Sequence, residues 1–186
     1  LAEETVYIST DDGKKLKCTY FPPLQANAAG VILLPDTRCN RMNFESVPRK
    51  LNEAGFAVLA MDLRYKNIIA KTKSRKDAIS TIQKQDLMAL VNYDAKSGIT
   101  FLSNKNEVDP KRIGLIGTSL GSRIGIISGP KYDLKALVLI SLSGETAFQV
   151  SGPEGHEVEI RHGEELEAPE TVRYDMRCNC LYQEVC

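Results

Sequence analysis

The chain has 186 residues, and its 24 Lys+Arg balance 24 Asp+Glu, so no global field draws it to nucleic acid or to anionic lipid. Hydrophobic residues make up 42% and charged residues 26%, and no apolar run reaches the ~18 residues of a membrane span. This composition argues against a disordered or membrane-spanning chain. At this size roughly 70% of the unfolded surface can be buried, enough for a core without disulfides or metal.

The neutral total hides two unlike parts. Residues 1–150 carry 21 Lys+Arg against 15 Asp+Glu, a net of +6, whereas residues 151–186 carry 3 against 9, a net of −6. The expected division is a core over 1–150 and an acidic tail over 151–186. Both histidines, His156 and His162, and three of the five cysteines, Cys178, Cys180 and Cys186, lie in that tail. Any chemistry that needs an imidazole must therefore recruit it from the last fifth of the chain. The cysteine spacing matches neither a disulfide framework nor a paired zinc motif, and no metal is expected. The chain opens on Leu1 rather than Met, read as processing, with a lean to a secreted or periplasmic location.

In chain order, Thr5–Ser9 and Leu16–Tyr20 alternate around Asp11-Asp12-Gly13-Lys14, which predicts a β-hairpin at a sheet edge. Gly30-Val31-Ile32-Leu33-Leu34 is a continuous apolar run, the mark of a parallel strand covered on both faces. A loop over 35–42 follows. Phe44, Val47, Leu51 and Ala54 then recur at helical spacing up to a stop at Gly55, and the next strand spans 56–61. From Arg64 to Lys76 there are six positive charges and no negative one, which reads as a solvated loop. Asp62 and Arg64, just past a strand end, are read as loop anchors. Ile79, Ile82, Leu87, Leu90 and Val91 form one helical stripe that Ser97-Gly98 is expected to break or end. Strand 112–117, a helix over about 120–128 and strand 136–142 complete the pattern. This alternation predicts an α/β fold, a mainly parallel sheet with helices on both faces. Beyond Ser151 the alternation stops, and only Val158/Ile160 and Val172/Tyr174/Met176 hint at short strands.

One segment carries chemistry. Gly117-Thr118-Ser119-Leu120-Gly121 sets a serine inside G-x-S-x-G, between a buried strand and a helix. There the hydroxyl stands exposed on a sharp, strained turn and the Leu120 amide, at the helix start, points at an attacked carbonyl. The two glycines are expected to make the turn possible. The alternative is a Ser/Gly-rich cap on an ordinary strand-helix turn.

With VILLPDTR at 31–38, AVLAMDLRY at 57–65, VDPKRIGLIGTSLGSRIG at 108–125 and KALVLISLSGE at 135–145, the chain resembles the α/β-hydrolase family, most nearly its dienelactone-hydrolase-like and prolyl-oligopeptidase-like members. The resemblance covers most of residues 1–145. It implies Ser119 as nucleophile and a second oxyanion amide after the first buried strand. Pro35-Asp36 stands where the family often has His-Gly, which makes the Thr37 amide the candidate. It also implies an acid and then a histidine after later strands, for which Glu145 and His156 are the candidates. After Leu142 no further pair of strands of the family's type is recognised; the family's C-terminal third is either missing or replaced. The expected function is a serine hydrolase acting on a small-molecule ester or related acyl compound, with no cofactor. The alternative is an incomplete hydrolase fold that serves as a binding or structural module.

Overall fold

The computed structural model describes residues 3–36, 39–64, 84–140, 148–151 and 157–160. Six strands form one sheet: β1 (Glu4–Ser9), β2 (Lys15–Phe21), β3 (Ala28–Leu34), β4 (Ala57–Met61), β5 (Val108–Thr118) and β6 (Ala136–Ile140). Their order is β1-β2-β4-β3-β5-β6. The hairpin β1-β2 occupies one edge and joins β4 antiparallel, while β4, β3, β5 and β6 run parallel. A separate antiparallel pair, β7 (Phe148–Ser151) and β8 (Glu157–Ile160), includes the strand expected at Val158/Ile160. Val172, Tyr174 and Met176 lie outside the described residues.

The apolar runs of β3 and β4 are explained by burial on both faces. Ile32 and Leu34 of β3, with Leu59 and Met61 of β4, pack on one side, and Val31 and Leu33, with Val58 and Ala60, pack on the other. The period of two thus splits one apolar run between two cores. The second face is closed by Phe44, from a 3-10 turn at Arg41–Phe44, and by Leu51 of helix α1 (Val47–Glu53). The first face is closed by a long helical segment and by α4 (Leu120–Lys131).

That long segment departs from expectation. α2 (Lys84–Ala89) passes into a π-helical stretch, Leu90–Ala95, and on into α3 (Lys96–Ser103), straight through Ser97-Gly98. Gly98 does not end the helix. It lets the helix lie against β4, for a Cβ there would meet Met61 Sδ at 2.4 Å. The helical pull of the flanking stripe and this close approach outweigh the ~1 kcal/mol that glycine costs within a helix.

The expectation of a solvated loop from Arg64 is also corrected at its first residue, where the reading of Arg64 as an anchor holds instead. Arg64 is half-buried, with its side chain only 7% exposed: its backbone N–H and Nε donate to Asp94 at 3.0 and 2.7 Å, and its terminal nitrogens donate to Asp12 at 2.6 and 3.0 Å. Its guanidinium also lies over the Tyr93 ring. Arg64 holds the Asp12 carboxyl down at about pKa 2, whereas burial pushes that of Asp94 upward. The cluster ties the hairpin turn and the π-helical stretch to the end of β4. Residues 65–83 lie outside the described residues.

Cys18, on β2, has no exposed surface, and burial pushes its thiol up to about 12. At pH 8 only about one molecule in ten thousand then carries the reactive thiolate. Iodoacetamide followed by peptide mass mapping is expected to leave Cys18 unmodified in the native protein and to alkylate it after unfolding in urea. Modification at equal rates in both states would contradict this placement.

Candidate active site

The topology itself prepares a site. From β3 the chain steps to β4 on one side of the sheet, and from β4 it crosses back to β5 on the other side of β3. At such a switch point the loops after two neighbouring parallel strands diverge and leave a crevice at their C-terminal ends. Here those are the loop that begins at Pro35-Asp36, after β3, and the turn at Ser119, after β5. Register puts Leu34 beside Gly117, so the two exits are adjacent. The loop after β3 is held at its far end, where the Arg41 backbone N–H and guanidinium donate to Asp62 at 2.8 and 3.0 Å. Asp62, expected to be an anchor, is one.

Ser119 is the single residue between β5 and α4, and its backbone sits at φ 50 and ψ −105. An L-residue reaches this region only under constraint, at a cost of roughly 1–3 kcal/mol. The constraint is visible on both sides. The Ser119 N–H donates to Ile140 O at 2.9 Å, and the Ser119 carbonyl accepts from Arg123 N–H at 3.2 Å. The Ser119 side chain makes no capping hydrogen bond to the helix. Its hydroxyl is therefore not committed to the first turn, and the residue is half-buried.

The flanking glycines have a different role from the one expected of them. Neither Gly117 nor Gly121 has a positive φ; the turn's unusual conformation belongs to Ser119 itself. The glycines are required by close approach. A Cβ on Gly117 would lie 2.3 Å from the carbonyl of Gly121, and one on Gly121 would lie 2.0 Å from Leu34 O. Bare backbone at both positions lets the start of α4 press onto β5 and β3. The first N–H groups of α4, beginning with Leu120, have no acceptor within the helix and sit at the positive end of its dipole.

Sequence reasoning passed over Ser122. It is fully buried, and its Oγ lies 2.8 Å from both Gly117 O and Ile140 O. The only signal in the sequence is a hydroxyl in the first turn of a helix, on the side that carries the glycines. Thr118 Oγ1 and Arg123 Nε, on either side of Ser119, are buried without a hydrogen-bond partner among the described residues.

The other site candidates, Thr37, Glu145 and His156, lie outside the described residues, as does His162. Cys39 is half-buried, and its N–H donates to Asp36 O at 3.1 Å. Among the described residues no three His, Cys, Asp or Glu side chains gather as a metal site. A groove between β1 and α3, lined by Tyr7, Tyr93, Lys96 and Phe101, opens at the hairpin edge of the sheet, away from Ser119.

Four parallel strands extended by a hairpin, helices on both faces and a strained serine at a strand-to-helix turn define an α/β-hydrolase fold. The solved structures agree with this class. The chain is similar to the dienelactone hydrolase from Anabaena variabilis ATCC 29413 (TM-score 0.55, 18% identity, 77% of this chain and 64% of that one). It is also similar to a putative dienelactone hydrolase from Klebsiella pneumoniae subsp. pneumoniae MGH 78578 (TM-score 0.60, 15% identity, 78% and 64%) and to the esterase domain of a Rhodothermus marinus protein (TM-score 0.52, 20% identity, 75% and 50%). The chain spans less than two thirds of each of these proteins. No curated protein matches it. The sequence profile of the dienelactone hydrolase family matches residues 16–140, and the chain belongs to that family.

Proposed function

We propose that this chain is a serine hydrolase that cleaves carboxylic esters or related acyl compounds through an acyl-enzyme. The observation that carries the reading is the backbone of Ser119, held at φ 50 between β5 and α4 beside the exit of β3. In the first step Ser119 Oγ attacks the acyl carbon and loses its proton to a base, and the Leu120 N–H receives the oxyanion with help from the helix dipole. Collapse expels an alkoxide, which takes up a proton, and water then releases the acid by the same route. His156 is proposed as the base, Glu145 as the acid that orients it, and the Thr37 N–H as the second oxyanion donor. The family match over residues 16–140 supports Ser119 and Thr37 in these roles, and the adjacency of the β3 exit to the Ser119 turn supports Thr37.

A second reading is favoured by one observation: residues 1–150 contain no histidine. In that case the fold is an incomplete hydrolase that serves as a binding or structural module. A fluorophosphonate probe separates the two, because phosphonylation needs an activated serine. Labelling that mass spectrometry maps to Ser119, and that denaturation abolishes, is expected of the enzyme. A chain that stays unlabelled while folded favours the module.

A further inference from the structure

We infer that Ser122 is a positioning residue for the Ser119 turn, a proposal that rests on Ser119 being the reacting serine. Gly117 O and Ile140 O stand where β5 and β6 end their pairing, and the Ser122 hydroxyl reaches both at 2.8 Å from a position with no exposed surface. A hydroxyl has one proton, so it bridges the two carbonyls as a shared donor. Ile140 O also accepts the Ser119 N–H at 2.9 Å. One carbonyl of β6 thus holds the turn twice, before and after the serine. The second hold comes from the side chain three residues on.

The consequence concerns geometry rather than fold. Ser119 sits in a conformation that relaxes if either neighbour moves, and relaxation would swing both its Oγ and the Leu120 N–H. The glycines permit α4 to approach β3 and β5 but do not hold it there. Close approach is a steric allowance, whereas the Ser122 hydroxyl supplies a directed bond. Loss of that bond is expected to leave the sheet in place and to loosen the four residues from Gly117 to Leu120.

The test compares the full chain with Ser122→Ala and with Ser122→Cys, which keeps a weaker donor of similar size. Three quantities are read: the melting temperature, hydrogen exchange at the Ser119 and Arg123 amides, and the rate of fluorophosphonate labelling per folded molecule. For Ser122→Ala, exchange at those two amides is expected to rise about tenfold or more while the amides of β3 and β4 stay as slow as before. Labelling is expected to slow by about tenfold to a hundredfold, the scale of a misplaced reacting group, with Ser122→Cys between the two. A purely structural role would instead lower the melting temperature and raise exchange throughout, with the labelling rate per folded molecule unchanged, and would overturn the proposal. Unchanged exchange at Ser119 and Arg123 would overturn it as well. If the alanine variant does not fold, the cysteine variant is judged by the same criteria. If wild type is never labelled, the hydrolase reading falls, and the local exchange alone decides whether Ser122 holds the turn.

Discussion

Gly121→Ala is expected to cost about 3 kcal/mol of stability, at the upper end for overpacking in a core. The added Cβ would meet Leu34 O at 2.0 Å and Leu34 C at 2.7 Å, and both are backbone atoms in the middle of the sheet. Neither can rotate away, so α4 must retreat from β3 by more than an ångström. That movement breaks the contacts that hold Ser119, including the Ser119 N–H to Ile140 O. For a chain of this size the loss corresponds to a fall in melting temperature of roughly 6–12 °C. Gly125→Ala, one turn further along α4, is the internal control. There the Cβ meets Leu115 Cδ2 at 2.7 Å and Leu139 Cδ2 at 3.1 Å, ends of side chains that can shift. Alanine also gains about 1 kcal/mol of helix propensity over glycine. Thermal melts of the two variants side by side are expected to show a large fall for Gly121→Ala and a change near zero for Gly125→Ala. Equal melting temperatures would mean that α4 does not approach β3 as closely as described.

Ser119→Ala is expected to lower turnover of a short-chain aryl ester by about ten-thousandfold or more, because removal of a covalent nucleophile leaves only binding and oxyanion stabilisation. The melting temperature should not fall, since the Ser119 hydroxyl makes no capping bond to the helix. Ser119→Gly should be equally inactive and slightly more stable. Glycine removes a strain of roughly 1–3 kcal/mol and returns about 0.5–1 kcal/mol as extra freedom in the unfolded chain, leaving a gain of about 1 kcal/mol. The pair separates the two roles of this residue, the hydroxyl proposed to react and the backbone that is forced out of its ordinary range. If the alanine variant keeps its activity, Ser119 is not the nucleophile. If the glycine variant is less stable than the alanine variant, the turn is not strained.

What the sequence determined by itself was everything set by short-range pattern. Val31 to Leu34 read as a doubly covered strand because alternate side chains must enter two cores, and they do. The Asp11 to Lys14 turn and the Gly55 stop were legible because Gly13 and Gly55 adopt positive φ, a property of the residue and its immediate neighbours. Ser119 was legible because a strand, a turn and a helix in succession leave a serine at that junction little choice of place. Family membership, too, was carried by local motifs, and the match over residues 16–140 agrees with them.

Only the tertiary structure decided what depends on partners far along the chain. Arg64 was legible as a loop anchor past a strand end, but its partners were not: Asp94 lies 30 residues away and Asp12 52 away, and together they turn one charge of a basic run into a clamp. Gly98 looked like a helix stop because a lone glycine weakens a helix, and nothing local announces that Met61 needs the space. Ser122 looked like an ordinary helix residue because its two acceptors, Gly117 O and Ile140 O, come together only when β5 pairs with β6. Local pattern selects an element because backbone and side-chain periods are properties of a few consecutive residues. A glycine's clearance, a buried charge's partner or a hydroxyl's acceptor is a property of two segments at once, and it exists only after the sheet has brought them into contact.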